Sequence, residues 1–211
     1  MEKLAIFDVD YTLTKSETLY ELFKYMIKKD RKLIRYIPVS LGSALLYVLK
    51  YFDEKRAKDN FIRFLKGIHE EDLSEIMKGF YHERLSEILY KDAIDTIKKL
   101  KKEGCLIYLI SASPETYLNE LYNIKEVDMI IGTRLRYENF CYSIHGENCK
   151  GEEKVKRLKE VLKKENIEVD FENSYMFSDS LSDLPLLKLV GNPYLINYKK
   201  GHDEIKILSW K

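Results

Sequence analysis

Apolar residues along this chain fall into two patterns. Short apolar runs recur at KLAIF (3–7), CLIYLI (105–110), VDMIIG (127–132), NSYMFS (173–178) and PYLIN (193–197), each beside acidic, Gly, Ser or Asn punctuation. Runs of that length suit strands buried on both faces of a parallel sheet. Between most of them the period changes to that of a helix. DAIDTIKKLKKEG (92–104) sets Ala93, Ile94, Ile97 and Leu100 on one side, with Asp92 as N-cap and Gly104 as terminator. EEKVKRLKEVLKKEN (152–166) repeats the arrangement with Val155, Leu158, Val161 and Leu162. Strands alternating with such helices predict a doubly wound α/β core built on a parallel sheet.

Residues 15 to about 90 contain no convincing strand. In ETLYELFKYMIKK, Leu19, Leu22, Phe23, Met26 and Ile27 form one helical stripe, and FIRFLKGI and LSEIMKGFYHERLSEIL keep the helical period. The pattern predicts a core domain made of residues 1–14 and 91–211, with a helical cap inserted as residues 15–90. One cap segment, YIPVSLGSALLYVL (36–49), carries no charge and is flanked by Arg35 and Lys50. It falls short of the roughly 20 apolar residues of a spanning helix, and Pro38 and Gly42 interrupt it. It is expected to be a helix buried by packing, with an interfacial or ligand-facing surface as the alternative.

Charge changes the picture by exclusion. Lys and Arg (36) nearly balance Asp and Glu (35), for a net charge of +1, which argues against bulk attraction to nucleic acid or to an anionic membrane. The three cysteines, Cys105, Cys141 and Cys149, lack metal or redox spacing, which suits a reducing cytoplasm. MEKLAIFDVD turns acidic after a short apolar run, unlike a secretory signal. His69, His82, His145 and His202 are scattered without ligand spacing.

The candidate chemistry sits at strand ends. In LAIFDVDYTLT, Asp8 and Asp10 stand two residues apart after the first strand, so both can face one site while Val9 packs inward. Open α/β sheets bind ligands at the carboxyl ends of their strands. Ser111 ends the second run, and Ser113 before Pro114 is a candidate helix cap. Asp179 follows YMFS, with Asp183 four residues on. A lysine, Lys150 or Lys154, lies at the start of the helix near Gly151. Several carboxylates in one place repel unless a cation sits among them, and hard oxygen donors favour Mg²⁺. A hydroxyl, a helix N-terminus and an ammonium suit a phosphate. With the charge offset, one aspartate is free to attack phosphorus.

Four segments in order, DVDYT (8–12), Ser111 in LISAS, the lysine of KGEEK (150–154) and SDSLSD (178–183), resemble the haloacid dehalogenase superfamily. A helical insert directly after the first segment, together with SETL (16–19) and ENCKGE (147–152), is similar to its phosphoserine phosphatase branch. The resemblance implies a Rossmann-like core and a Mg²⁺-dependent phosphomonoesterase acting on a small phosphorylated metabolite. Asp8 would form an aspartyl-phosphate, and Asp10 would serve as acid and then base. Thr12, Ser111 and the lysine (Lys154 preferred over Lys150) would bind phosphate oxygens. Mg²⁺ would be held by Asp8, the Asp10 carbonyl and Asp179, with Asp183 as a ligand or as a partner of one. Glu17 would meet a substrate ammonium, and Arg56 or Arg63 a substrate carboxylate. Tyr11 stands where the family usually has Gly or Ser, and SAS replaces the branch's Ser-Gly-Gly. Two other readings are a phosphatase or phosphotransferase for a lipid-like phosphate at a membrane surface, and an inactive regulatory domain.

Overall fold

The computed structural model describes Met1–Lys211. From the N-terminus, β1 (Lys3–Phe7) is followed by α1 (Thr18–Lys29), α2 (Ile37–Val48), α3 (Glu54–Phe61), α4 (Glu70–Phe80) and α5 (Lys91–Lys102). Next come β2 (Cys105–Pro114), α6 (Glu115–Leu118), β3 (Val127–Thr133), β4 (Leu135–Glu138) and β5 (Cys141–Ile144). The chain ends with α7 (Glu152–Lys164), β6 (Tyr175–Ser178), α8 (Leu184–Leu187), β7 (Asn192–Ile196) and β8 (Lys206–Leu208). Six strands form one parallel sheet in the order β3-β2-β1-β6-β7-β8, and β4 and β5 form a separate antiparallel hairpin.

Central β1 shows why the run KLAIF becomes a strand. Leu4, Ala5, Ile6 and Phe7 are all fully buried, and their side chains alternate between two apolar clusters. Ala5 and Phe7 join one cluster; Leu4 and Ile6 join the other, under α7 and α8. Only a strand covered on both faces can bury consecutive residues this way. Phe7 stacks on Phe177 at 4.6 Å between ring centroids, and the lone tryptophan, Trp210, lies 5.6 Å from Phe177.

Between β1 and β2 the chain is helical, apart from a bridge that pairs Thr14 with Leu89. Leu22, Phe23, Met26, Phe64, Leu73, Met77 and Phe80 from this region belong to the same cluster as Ala5 and Phe7. The helices are therefore seated on one face of the sheet by continuous apolar packing.

α2 departs from the expectation of a buried helix. It buries only Ser40 and Ser43, while Leu41, Leu45 and Val48 are 65%, 58% and 73% exposed. The cause is compositional. A run apolar on every side carries no periodicity to choose an inward face. Its neighbour α3, EKRAKDNF, offers little besides Ala57 and Phe61 to pack against. No helix of the structure is long and apolar enough to cross a membrane.

One cap assignment also shifts. α5 starts at Lys91 without a side-chain cap; Asp92 lies in its first turn and accepts from the Lys211 N–H instead. Gly104 ends that helix as expected, at a positive φ of 83° that only glycine adopts freely.

Candidate active site

Register alone brings the acidic tips together. Phe7 pairs with Leu109 of β2 and with Phe177 of β6. The residues just beyond those levels, Asp8, Ser111 and Asp179, therefore emerge at one edge of the sheet, and the Asp8 N–H extends the ladder to the Phe177 carbonyl at 2.9 Å. The strand order reverses at β1, with β2 on one side and β6 on the other, which is where such sheets open a crevice. A cavity of about 140 Å³ lies there, lined among others by Asp8, Asp10, Ser111, Lys154, Asp179 and Asp183.

Lys154 organises this cavity. The first turn of α7 projects its ammonium between two carboxylates, donating to Asp8 Oδ1 and to Asp183 Oδ2, each at 2.7 Å. All three side chains are buried. Burial opposes the ammonium's charge, but the two carboxylates outweigh it and hold Lys154 above the usual lysine range. Burial likewise pushes the Asp8 carboxyl up to about 8; Lys154 opposes that rise, while Asp183 and Asp10 add to it. Asp179 is pushed up to about 6, first by burial and then by the Asp183 charge. Asp183 Oδ2 also accepts from the Ser178 hydroxyl at 2.9 Å, whereas its Oδ1 is buried without a partner.

Asp10 borders the same cavity but is held by a separate set of donors. Its Oδ1 accepts from the Thr18 N–H at 2.6 Å and the Thr18 hydroxyl at 2.7 Å, and its Oδ2 from the Ser113 hydroxyl at 2.7 Å. The Thr18 hydroxyl is in turn 3.0 Å from the buried Tyr117 hydroxyl. Between the two aspartates, Tyr11 adopts φ +57°. That left-handed turn costs an L-residue about 1–2 kcal/mol and explains why glycine fits the position well.

A crowd of hard oxygen donors with an orphaned Asp183 oxygen fits a divalent cation. No three His, Cys, Asp or Glu side chains are close enough to cage an ion alone. An ion here would draw on Asp8, Asp179, the Asp10 carbonyl and water, with the free Asp183 oxygen as a further ligand or as acceptor from a bound water, a mixed shell of the kind Mg²⁺ keeps.

A family model described as haloacid dehalogenase-like hydrolase matches residues 5–188. The chain belongs to the haloacid dehalogenase-like hydrolases. It is similar to a probable phosphatase of Mycobacterium tuberculosis, 24% identical over 213 residues that cover 98% of this chain and 73% of that one. It is also similar to a histidinol-phosphatase of Neisseria meningitidis serogroup C, 26% identical over 205 residues, 93% of this chain and 91% of the relative. Among solved structures, a protein of unknown function from Bordetella pertussis Tohama I superposes with a TM-score of 0.82 at 22% identity, covering 94% and 92% of the two chains. A substrate-bound phosphoserine phosphatase complex superposes at 0.64 with 19% identity, covering 94% and 88%. At these identities the structural likeness is one of fold.

In this haloacid dehalogenase-like hydrolase the structure gathers Asp8, Asp10, Ser111, Lys154, Asp179 and Asp183 around one cavity. Of the two lysines, Lys154 is at its buried end; Lys150 also borders it, but pairs with Glu54 of α3 at 2.8 Å. Thr12 is corrected. It is fully buried, and its hydroxyl accepts from the Asp179 N–H at 2.8 Å, so it fixes the loop after β6 rather than lining the cavity. Ser113 is corrected as well: β2 runs on to Pro114, and the serine caps nothing but holds Asp10. Ser111 accepts from the Ser113 N–H at 3.0 Å, and the helix after it is only four residues long.

A second cavity of about 490 Å³ lies between α1, α2 and α3, and Glu54 borders both cavities. Glu17 borders it as the N-cap of α1, accepting from the Tyr20 N–H; burial, then the Asp10 charge, pushes its carboxyl up to about 7. Neither Arg56 nor Arg63 reaches either cavity. Arg56 lies over the Phe52 ring at 4.2 Å, and Arg63 borders a separate hollow with Asp59 and Tyr142. The cation beside Glu17 is Lys58, which donates to the Ala112 carbonyl at 2.9 Å and to Asn148 Oδ1 at 2.7 Å. Burial holds its ammonium below the usual lysine range. Helical spacing could have found it: Lys58 is four residues from Glu54 and shares its face, whereas Arg56 is two residues away and does not.

Proposed function

We propose that this protein is a Mg²⁺-dependent phosphomonoester hydrolase working through an aspartyl-phosphate on Asp8, with residues 15–90 as the cap that closes over the substrate. The observation that carries the proposal is Lys154 held between Asp8 and Asp183 at the switch point of the sheet. A buried ammonium there fixes the nucleophile's Oδ1, leaving Oδ2 to attack, and offsets charge on the phosphoryl oxygens. Ser111 borders the same cavity and offers its hydroxyl to those oxygens. Mg²⁺, on Asp8, Asp179 and the Asp10 carbonyl, would neutralise the phosphoryl group's negative charge.

Proton traffic belongs to Asp10. As Asp8 Oδ2 bonds to phosphorus and the ester P–O bond breaks, Asp10 gives its proton to the departing alkoxide. It then takes a proton from the water that attacks the aspartyl-phosphate, which releases inorganic phosphate and restores the Asp8 carboxylate. Thr18 and Ser113 aim the carboxyl group for both transfers.

The cavity beside α1 would receive the leaving group. Glu17 suits an ammonium, and Leu19, Tyr47 and Phe61 suit an apolar portion. Histidinol-phosphatase and phosphoserine phosphatase, the names of two relatives, both denote esters that carry an amine. A small amine-bearing phosphomonoester is therefore the substrate class favoured here. The apolar lining favours, as a second reading, a larger lipid-like phosphate.

The test is release of phosphate from an aryl phosphate with and without Mg²⁺. Release that requires the ion and is lost in Asp8→Asn is expected; full activity in Asp8→Asn would overturn the covalent mechanism.

A further inference from the structure

α2 is inverted relative to a helix of a water-soluble domain. Its two buried residues are serines, and Ser40 spends its hydroxyl on the Tyr36 carbonyl of its own chain at 3.0 Å. Its exposed residues include Ile37, Leu41, Leu45 and Val48, which at spacings of four, four and three lie along one stripe. Tyr51, 76% exposed, flanks the stripe at its C-terminal end. An apolar stripe of this extent marks a surface that is covered in use.

The charges at its ends say what covers it. From Arg31 to Phe52 the chain has four basic residues, Arg31, Lys32, Arg35 and Lys50, and no acidic one, although the protein as a whole is nearly neutral. All four are exposed, three of them before α2 and one after it. Positive charge therefore brackets the apolar stripe at both ends. A second copy of this chain would pair the stripe with itself about a two-fold axis, bringing like charges together at each end. An anionic lipid surface meets both features at once. Leucines enter the acyl boundary, Tyr51 sits at the headgroup level, and the flanking cations face lipid phosphates. At twelve residues α2 is too short to span a bilayer but long enough to lie in its plane.

We propose that the outer face of α2, with the basic 3₁₀ segment Arg31–Tyr36 before it, docks this protein in plane on an anionic membrane surface. The inner side of the same helix contributes Ser40, Ala44 and Tyr47 to the larger cavity beside Glu17. Docking thus places α2 between that cavity and the bilayer. The inference stands apart from the phosphatase reading, because docking requires no turnover.

Flotation of the full chain with vesicles tests it, comparing phosphatidylcholine alone with phosphatidylcholine containing phosphatidylglycerol. The protein is expected to float with the anionic vesicles only, and to be released as salt screens the attraction. Leu41→Asp with Leu45→Asp should weaken partitioning at least about tenfold while leaving turnover of a soluble aryl phosphate unchanged. Arg31→Gln, Lys32→Gln and Arg35→Gln together should weaken binding and flatten its salt dependence, so the test survives a poorly folding Asp variant. No flotation, or equal binding to both vesicle types, would overturn the proposal. So would a solution dimer that the Asp pair dissociates, since a second copy would then cover the face.

Discussion

Replacing Lys154 by Met keeps the bulk of the side chain and removes one charge from a buried cluster of three. Asp8 and Asp183 would then face each other without the ammonium that each contacts at 2.7 Å. Removing one partner of a buried pair costs about 3–5 kcal/mol, most of it the penalty of the charge left behind. With urea m-values of about 2–3 kcal/mol/M, the unfolding midpoint should fall by about 1–2.5 M at pH 8. The sign of the pH effect follows from the carboxylates. Asp8 already sits near 8 with the lysine present, well above its usual value. A carboxyl raised in the folded state contributes stability below its unfolded pKa that is lost as pH rises toward the folded one. Without the cation nothing offsets the repulsion between the ionised carboxylates, and ionisation grows with pH, so the deficit of Lys154→Met should be larger at pH 8 than at pH 5. Adding Asp183→Asn should restore part of the loss, since only one buried carboxylate then remains. Trp210, packed against Phe177, reports unfolding by its fluorescence. A deficit below about 1 kcal/mol at pH 8, or one equal at both pH values, would refute the claim that Lys154 neutralises this cluster.

Three further outcomes follow from the surroundings of the site. Ser113→Ala or Thr18→Val removes a hydrogen bond to the Asp10 carboxyl worth about 1.5–3 kcal/mol, and should slow the dephosphorylation seen in single turnovers about tenfold or more with KM little changed. Unchanged turnover would show that Asp10 needs no such support. Gly132→Ala would place a Cβ 2.7 Å from the Ser113 carbonyl and 2.8 Å from Leu118, so it should cost about 1–3 kcal/mol in urea unfolding and lower kcat through the shifted serine. Because Glu17 sits near 7, its negative charge is lost as pH falls through that value. For an amine-bearing substrate relative to an amine-free analogue, kcat/KM should therefore drop on the acid side of pH 7. Glu17→Gln should flatten that ratio; an unaltered ratio would make Glu17 a helix cap only.

Much of the core was legible because burial on both faces writes itself into sequence. After Lys3, KLAIF and CLIYLI have no charged position, and β1 and β2 are adjacent strands inside the sheet, neither of them at an edge. The acidic tips were legible for a related reason: a charge at the end of such a run cannot be packing. β4 and β5 were missed because LRYE and CYSI are four-residue strands half open to solvent, with too little apolar pattern to register. Within the site, Lys154 and Lys150 could not be separated by spacing, since the choice depends on how far into the sheet edge α7 begins. Thr12 and Ser113 were assigned by neighbourhood along the chain, whereas their partners, Asp179 and Asp10, are 167 and 103 residues away. Lys58 differs: its partners lie across the fold at Ala112 and Asn148, but its spacing from Glu54 already marked the face it shares. α2 misled for the opposite reason: its apolar residues signalled burial, and composition alone does not say what does the burying.

The central claim is that Asp8 receives the phosphoryl group beside Lys154. A crystal structure grown with Mg²⁺ and BeF₃⁻ tests it most directly. Beryllium is expected bonded to an Asp8 carboxylate oxygen, with the Lys154 ammonium and Ser111 hydroxyl on its fluorides and the metal shared by Asp8 and Asp179. Beryllofluoride bound elsewhere, or Asp8 still paired with Lys154 and free of any adduct at saturating fluoride, would contradict it.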